Sequence, residues 1–335
     1  MDVNKRISAT QTPHPIDTPT IFLMGATACG KTALSLSLAR WLGAEIISVD
    51  SALVYKGMDI GTAKPTIAER EGVTHHLIDV IDPWQSYSAS RFCSDANTLI
   101  DTIHARGKRV MLVGGTMLYF KALEEGLAEL PEADEQVRKA LATEANASGW
   151  QAMHAQLNHI DPVAAARIHP NDPQRVQRAL EVYRISGVPM SELQSRTHSQ
   201  LKAVPLKFAL VPDERAWLHQ RIEQRFESML LNGFMDEVKK LRHDARMVAG
   251  LPAIRSVGYR QAWEFLDRQQ NAPLAVQGND VDWIQQAMAA TRQLAKRQLT
   301  WLRSMDNVVQ ITCDTLSMEQ QFDTIKQHIT DNENL

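Results

Sequence analysis

Short apolar segments recur along the chain, and longer stretches with the spacing of amphipathic helices separate them. The apolar segments are continuous rather than alternating, which is typical of parallel strands that are buried on both faces. They predict strands at Thr20–Met24, Ala44–Val49, His76–Val80, Arg109–Val113, Lys207–Val211 and Asn307–Thr312. Since helical stretches such as Lys31–Trp41 and Ser90–Arg106 lie between them, we expect an α/β fold with a parallel sheet flanked by helices.

A long helical interval interrupts this alternation between the fourth and fifth predicted strands. Residues 131–203 are too many for a loop and are mostly helical in pattern, so we expect them to form an inserted all-helical subdomain. The α/β core is then expected to comprise residues 20–130 and 204–315. Residues 316–335 are expected to form a C-terminal helix or tail, and the polar, proline-containing residues 1–19 a disordered leader.

Composition restricts the classes of function. The 335-residue chain has 44% hydrophobic residues and a net charge of −3, so nucleic acid would have to bind through local basic patches rather than a uniformly basic surface. Cys29, Cys93 and Cys313 form no CxxC pair, which argues against a disulfide framework or a cysteine zinc site and favours a reducing compartment such as the cytoplasm. No run of about 18 apolar residues is present, so a membrane span is not expected.

The segment GATACGKT, after the first predicted strand, matches the phosphate-binding pattern GxxxxGK followed by Ser or Thr. Glycines let backbone N–H groups surround an anion, and the N-terminus of the following helix adds positive potential. The Lys31 ammonium adds a charge, and the Thr32 hydroxyl suits a Mg²⁺ ion that binds phosphate oxygens. The pattern predicts a nucleotide or diphosphate site, with Mg²⁺ as cofactor and Thr32 as metal ligand, formed by Gly25, Ala26, Thr27, Ala28, Cys29, Gly30, Lys31 and Thr32.

Carboxylates near strand ends are candidates for catalysis in the same region. Asp50 directly follows the second predicted strand, where open α/β sheets bind their ligands, and Asp79 and Asp82 lie in and after the third. A structural role for Asp50 stays open, because a carboxylate at this place also caps the following turn. The turn and the sheet alone leave a nucleotide or small-molecule kinase as an alternative, and a non-catalytic RNA-binding protein as another.

Several longer motifs carry a resemblance that covers nearly everything from about Ile21 to Arg303. They are VDSALVYKGMDIGTAKP (49–65), LVGGTMLYFKALEEGLAELP (112–131), ARIHPNDPQRVQRALEVYRISG (166–187), IRSVGYRQAWEFL (254–266) and TRQLAKRQLTWLR (291–303). In these motifs the chain resembles the tRNA dimethylallyltransferases, also called tRNA isopentenyltransferases. Because three cysteines do not supply the zinc finger of eukaryotic members, it resembles the bacterial type.

The resemblance implies a Mg²⁺-dependent prenyl transfer on a P-loop NTPase-like core. The donor is then dimethylallyl diphosphate, and the acceptor is the exocyclic N6 amine of the adenosine 3′ of the anticodon, in tRNAs that read codons beginning with U. Diphosphate leaves, and a phosphate-binding turn suits this chemistry because its donors stabilise charge that grows in the transition state. The resemblance also implies a monomer.

Three residues are expected at the reacting centre. In the family the aspartate of the DSAL segment is the general base, and this role carries over to Asp50. The resemblance places Thr116 near the substrate, although a threonine after a strand also caps helices. It likewise suggests that Arg225 holds the diphosphate, whereas its position alone equally suits a solvated helix face.

The resemblance also assigns tRNA contacts, whereas basic stripes by themselves are usually solvated faces. On the helix 291–303, Arg292, Lys296 and Arg303 fall within about 40° of one another, and Arg297 points elsewhere. Tyr259 is expected to offer a ring for stacking, and the target adenine has to flip out of the anticodon loop to reach a buried donor. The implied contacts are Asp50, Ser51, Ala52, Leu53, Thr116, Arg138, Gln174, Arg175, Val176, Gln177, Arg178, Arg255, Ser256, Val257, Gly258, Tyr259, Arg260, Lys296, Arg297, Gln298, Leu299, Thr300, Trp301, Leu302 and Arg303.

Overall fold

Strands and helices alternate through most of the computed structural model, which describes residues 19–128, 130–196, 199, 201–271 and 280–333. Apart from Pro19, the expected leader lies outside the described residues. The strands are β1 (Ile21–Gly25), β2 (Ala44–Val49), β3 (His75–His76), β4 (Arg109–Gly114), β5 (Leu206–Val211) and β6 (Val308–Thr312). The helices are α1 (Lys31–Leu42), α2 (Ala89–Ala105), α3 (Met117–Glu125), α4 (Glu135–Ser148), α5 (Trp150–Ile160), α6 (Pro162–Arg167), α7 (Pro173–Ser186), α8 (Met190–Gln194), α9 (Arg215–Leu231), α10 (Phe234–Arg242), α11 (Tyr259–Asn271), α12 (Asp280–Arg303) and α13 (Met318–Glu333).

The described strands form one parallel sheet in the order β3-β2-β4-β1-β5-β6, which confirms the expected α/β fold. β1 lies in the centre, and all of its residues are buried, as its continuous apolar sequence predicts. In the register of the sheet, Gly114 pairs with both Met24 and Val49. The segments that follow β1, β2 and β4 therefore leave the sheet at the same edge.

The predicted third strand, His76–Val80, is mostly wrong. The observed strand β3 ends at His76, because Leu77 and Asp79 have positive φ angles of 59° and 57° that an extended strand does not allow. The backbone N–H groups of Asp79 and Val80 instead donate to the carbonyl oxygens of Leu53 and Val54, at 3.1 and 2.8 Å. The apolar pattern did not reveal these bonds to a distant loop.

The chain divides into two compact units. One comprises the described residues up to Lys121 and from Leu201 onward, and it contains the sheet. The other comprises the described residues of 122–200, so it begins within α3 rather than at Pro131. The second unit is helical and has its own core, in which Leu141, Leu157 and Val176 are fully buried.

Candidate active site

A close approach between β2 and β4 positions the first part of the site. A Cβ atom on Gly114 would lie 2.0 Å from the carbonyl oxygen of Val49, so the two strands approach this closely only with glycine at residue 114. Two residues later, the Thr116 N–H donates to the same carbonyl oxygen of Val49 at 3.2 Å. This backbone bond holds the segment after β4 beside Asp50, which follows β2.

Thr116 and Asp50 are held by short-range hydrogen bonds. The Thr116 hydroxyl accepts from the Ser51 N–H at 3.0 Å and donates to the Ser51 hydroxyl at 3.4 Å. Asp50 Oδ1 accepts from the Ala52 N–H at 2.8 Å, which is the turn-capping role left open above. Because Asp50 and Thr116 also line a cavity, capping does not exclude either of them from a site.

The phosphate-binding turn after β1 has the backbone that its sequence predicts. Ala28 and Gly30 have φ angles of 66° and 89°, in the left-handed region. The Lys31 ammonium donates to the carbonyl oxygens of Gly25 and Ala26 at 2.8 and 2.7 Å. Burial lowers the pKa of Lys31, and Arg225 lowers it further, while Asp50 and the neighbouring Cys29 oppose these effects. Lys31 is thus a cation whose charge is costly until an anion binds.

One cavity of about 930 Å³ joins the turn, the Asp50 segment and Thr116. Among the described residues that line it, Asp50 is the single carboxylate. Its cationic lining residues are Lys31, Arg221, Arg225, Arg255 and Arg297; His75 also lines it, but burial lowers the pKa of this histidine. Such a wall attracts a polyanion and leaves one carboxylate to act as a base.

Two arginines of α9 contact the cavity wall. Arg225 donates from Nη2 to the carbonyl oxygen of Thr62 at 3.1 Å, so it is not a freely solvated helix-face arginine. Arg221 donates from Nε to the carbonyl oxygen of Ala28 in the phosphate turn at 2.8 Å, and its guanidinium lies 4.9 Å from the centre of the Trp217 ring. Arg221 lies one turn before Arg225 on the same helix and is a site residue that no sequence motif assigned.

Glu237 on α10 organises the loop that precedes Thr62, and the sequence analysis missed it. Its carboxylate accepts from the N–H groups of Asp59, Ile60 and Gly61 at 2.7, 2.8 and 3.1 Å. Gly61 packs closely on the same helix, since a Cβ atom there would lie 2.3 Å from the Phe234 ring, but no local sequence pattern points to Glu237. Three successive backbone N–H groups that bind one carboxylate fix this loop. The carbonyl oxygen of the next residue, Thr62, accepts the hydrogen bond from Arg225.

Burial corrects the prediction for Tyr259. Although Tyr259 forms part of the cavity wall, its side chain is fully buried and its hydroxyl donates to Glu237 Oε1 at 2.5 Å, so its ring is packed within the protein rather than exposed for stacking. Burial raises the pKa of Tyr259, and Glu237 raises it further. In the same segment, Arg255, Ser256, Val257 and Gly258 line the cavity, and Arg260 is exposed.

Helix α12 presents three different faces. Thr291, Leu294, Arg297, Gln298 and Trp301 line the cavity, so Arg297 points in a different direction from Lys296 and Arg303, as the helical spacing predicts. Lys296, Thr300 and Arg303 are exposed, whereas Leu299 and Leu302 are buried as the helical pattern predicts.

The expected RNA contacts after β2 and in the helical unit likewise differ in how exposed they are. Ser51 is exposed, and Ala52 and Leu53 line the cavity. In the helical unit, Gln174 and Arg175 are exposed, but Val176 is fully buried, so its side chain is not a contact for RNA. Arg138 and Arg178 both pair with the buried carboxylate of Glu181, at 2.8 and 2.7 Å, and Gln177 donates to the carbonyl oxygen of Arg138 at 3.0 Å.

Oxygen ligands for a small cation lie at the same cavity. Ile46 and Ser48, on one face of β2, line it together with Asp50 directly after the strand, and the exposed Thr32 lies at the start of α1. The Ser48 hydroxyl is buried without a hydrogen-bond partner among the described residues. Those residues contain no group of three or more His, Cys, Asp or Glu side chains that would hold a metal by itself. The residues present therefore fit Mg²⁺ that shares its ligands with phosphate.

The three cysteines are free thiols. Cys29, in the phosphate turn, interacts with Cys313 just beyond β6; this contact, with Lys31, lowers the pKa of Cys29 although burial opposes it. No helix within the described ranges is both long and apolar enough to cross a membrane.

Known proteins are similar to this chain in sequence and in fold. The family model for IPP transferase matches residues 53–305. The tRNA dimethylallyltransferase of Stenotrophomonas maltophilia strain K279a is 55% identical over 289 residues, which cover 84% of this chain and 89% of that protein. The crystal structure of the full-length tRNA isopentenylpyrophosphate transferase from Bacillus halodurans matches at 37% identity and a TM-score of 0.67, over 94% of this chain and 96% of that one.

A eukaryotic structure extends the comparison. A dimethylallyltransferase described as acting on tRNA matches with a TM-score of 0.76 and 26% identity, over 93% of this chain and 80% of that one. The family match covers most of the chain, and the identity to curated relatives is high over most of both lengths. The chain belongs to the IPP transferase family, the tRNA dimethylallyltransferases.

Proposed function

We propose that the cavity of this enzyme binds dimethylallyl diphosphate at the phosphate turn and transfers its prenyl group to the N6 amine of the adenosine 3′ of the anticodon. The observation that carries the proposal is the charge of the cavity, whose described lining residues include five lysine and arginine side chains and a single carboxylate, Asp50. A diphosphate needs the cations, and an attacking amine needs one base. The expected tRNA substrates are those that read codons beginning with U.

The cations act on the leaving group. The C1–O bond of the donor breaks as the N6 nitrogen bonds to C1, and both electrons of the broken bond leave with diphosphate. The amides of the turn, Lys31 and Arg225 stabilise the charge that grows on the leaving oxygens, and this stabilisation lowers the barrier rather than only tightening binding. Arg221, which already contacts the turn at Ala28, adds a further charge.

Asp50 acts on the acceptor. The N6 lone pair is delocalised into the purine ring, so the amine is a poor nucleophile unless a base takes up its proton as the N6–C1 bond forms. The Asp50 carboxylate accepts that proton, and its bond from the Ala52 N–H orients it. Thr116, held by Ser51, positions the acceptor beside it.

Mg²⁺ is the cofactor that the donor set suits. Thr32 would hold it together with oxygens of the diphosphate, and Ser48 and Asp50 are further oxygen donors of the same cavity. When bound, the ion supplies positive charge that neutralises the diphosphate.

The acceptor adenine has to leave the stack of the anticodon loop to reach the cavity. Exposed basic side chains, such as Arg260, Lys296 and Arg303, hold the RNA backbone around it. In the helical unit, Arg175 is a further exposed basic side chain for RNA. A monomeric state and a cytoplasmic location stay predictions.

The kinase alternative is not favoured, because the relatives that match over most of the chain are dimethylallyltransferases. Incubation with tRNA and isotope-labelled dimethylallyl diphosphate tests the proposal, with labelled ATP as the matched donor. We expect prenyl label in the RNA and, after nuclease digestion, in one modified adenosine. Phosphate label in an acceptor without prenyl label would support the kinase instead.

A further inference from the structure

The side chain of Gln298 bridges two parts of the cavity wall. Its Oε1 accepts a hydrogen bond from the Thr27 N–H at 2.9 Å, and its Nε2 donates to the carbonyl oxygen of Gly115 at 2.8 Å. Thr27 lies in the phosphate turn after β1, and Gly115 directly precedes Thr116 after β4. A single amide of α12 thus joins the segments that hold the leaving group and the acceptor.

Gly115 makes room for this amide. A Cβ atom at residue 115 would lie 2.5 Å from Gln298 Nε2 and 3.3 Å from the carbonyl oxygen of Gly25. The first distance is shorter than any real contact of a Cβ atom, so a larger residue would displace the Gln298 amide. The absence of a side chain at residue 115 is therefore part of the same contact.

Basic residues of α12 connect the two hydrogen bonds of Gln298 to RNA binding. Arg297, next to Gln298, lines the cavity, while Lys296 and Arg303 are exposed on the same helix. Gln298 itself is half-buried, and Oε1 and Nε2 of its amide each make one hydrogen bond within the protein, which fixes the orientation of the amide. A displacement of α12 by bound RNA would move the amide that contacts the phosphate turn.

We propose that Gln298 is a positioning residue that holds the phosphate turn against the end of β4 and couples RNA binding on α12 to diphosphate binding at the turn. The identity of the two ligands rests on the proposed function. The contact itself is tested by diphosphate binding, without any turnover. Coupling of this kind is reciprocal, so RNA strengthens diphosphate binding by the factor by which diphosphate strengthens RNA binding.

Calorimetric titration with inorganic diphosphate and Mg²⁺ tests the proposal, with and without an anticodon stem-loop RNA. Gln298→Met keeps the length of the side chain and removes both hydrogen bonds. Gln293→Met is the matched control, because Gln293 is exposed on the same helix. We expect Gln298→Met to bind diphosphate about tenfold more weakly than the wild type and the control, with no further effect of RNA.

Gly115→Ala disrupts the same contact at residue 115, and it replaces Gln298→Met in the test if that variant does not fold. We expect it to weaken diphosphate binding about as much, and the double variant with Gln298→Ala to be no weaker than Gly115→Ala alone, because both remove one contact. Kinetics add a second measurement: Gln298→Met should raise the KM for the donor and leave RNA binding in the absence of diphosphate unchanged. A general structural defect would instead weaken the binding of both the donor and RNA.

Three outcomes overturn the proposal. Equal diphosphate affinities of the wild type and Gln298→Met refute the positioning role, as do additive losses in the double variant. An RNA effect on diphosphate binding that persists in Gln298→Met refutes the coupling. A wild-type protein that binds diphosphate but transfers no prenyl group would instead contradict the proposed function and leave the positioning role standing.

Discussion

The carboxylate of Asp50 and the ammonium of Lys31 line the same cavity, Asp50 directly after β2 and Lys31 at the end of the turn that follows β1. Burial lowers the pKa of Lys31, and the nearby Asp50 is among the groups that raise it again. The two proposed substrates can therefore meet in this cavity, with the leaving group of the donor at Lys31 and the attacking amine of the acceptor at Asp50.

Lys31→Ala should impair donor use and spare RNA binding. The ammonium contacts the turn at Gly25 and Ala26, and it is not among the exposed basic residues assigned to RNA. We expect kcat/KM for dimethylallyl diphosphate to fall by about 10²–10³-fold, as for loss of one preorganised donor. Steady-state transfer and filter binding of tRNA measure the two effects separately; parallel losses in both would show that the sites are not separate.

Asp50→Asn should lower kcat. The substitution keeps an oxygen for the Ala52 N–H and removes the base, so we expect kcat to fall by about 10²–10⁴-fold with little change in the donor KM. Asp82→Asn is the control, because Asp82 lies near Lys56 at 3.6 Å and does not line the cavity. Near-normal single-turnover rates for Asp50→Asn would exclude Asp50 as the base.

Arg303→Ala should weaken tRNA binding in a salt-dependent way. Arg303 is exposed at the end of α12, so its loss should remove about one phosphate contact and reduce the slope of log K against log salt concentration by about one. Arg40→Ala, on α1 and paired with Glu71, should leave the slope unchanged. An unaltered slope for Arg303→Ala would remove this residue from the RNA surface.

Glu237→Ala should destabilise the protein and loosen donor binding. It leaves the N–H groups of Asp59, Ile60 and Gly61 without their acceptor, which should cost roughly 2–4 kcal/mol of unfolding free energy. Because the next carbonyl, that of Thr62, holds Arg225, the KM for the donor should rise as well.

Two variants calibrate the Glu237 result. Tyr259→Phe removes one of its hydrogen bonds and should cost only about 1 kcal/mol. Glu227→Ala, at an exposed position of α9, should have little effect. Urea denaturation measures the stabilities, and a Glu237→Ala protein as stable as Glu227→Ala would contradict the role of this carboxylate.

Glu45 should make the stability depend on pH under acid conditions. Burial raises the pKa of Glu45, but hydrogen bonds from His76, Lys108 and Arg106 outweigh it and lower the pKa from 4.5 to about 2. The folded-state pKa lies below the unfolded one, so the stabilisation is complete above pH 4.5 and is lost as the pH falls towards 2. It amounts to roughly 3 kcal/mol.

Glu45→Gln removes this titration. We expect the variant to be less stable than the wild type at pH 7 and the difference to shrink as the pH falls towards 2, measured by urea denaturation across this range. A difference that does not change with pH would show that the three partners of Glu45 do not depress its pKa.

Local patterns along the chain predicted the strands, most of the helices, the phosphate turn and the position of Asp50. These features depend on residues close in sequence: apolar segments bury both faces of β1 and β2, and the glycine-bracketed turn supplies its own amides. The resemblance located Thr116 and Arg225 without showing their contacts. The third strand was predicted wrongly, because the amides of Asp79 and Val80 bond to the distant Leu53 and Val54.

Tertiary structure alone decided which side of each functional helix faces the cavity. Arg297 lies in the wall of the cavity, whereas Tyr259 is buried against Glu237, against expectation. The packing of α11 on α10 and α12, and of α12 on β1, sets the rotation of these helices. Gln298 contacts Thr27 across 271 residues of sequence, so no local pattern indicates the bond. The sequence by itself therefore determined the chemical groups and the elements that carry them, and the packing of those elements decided which groups meet.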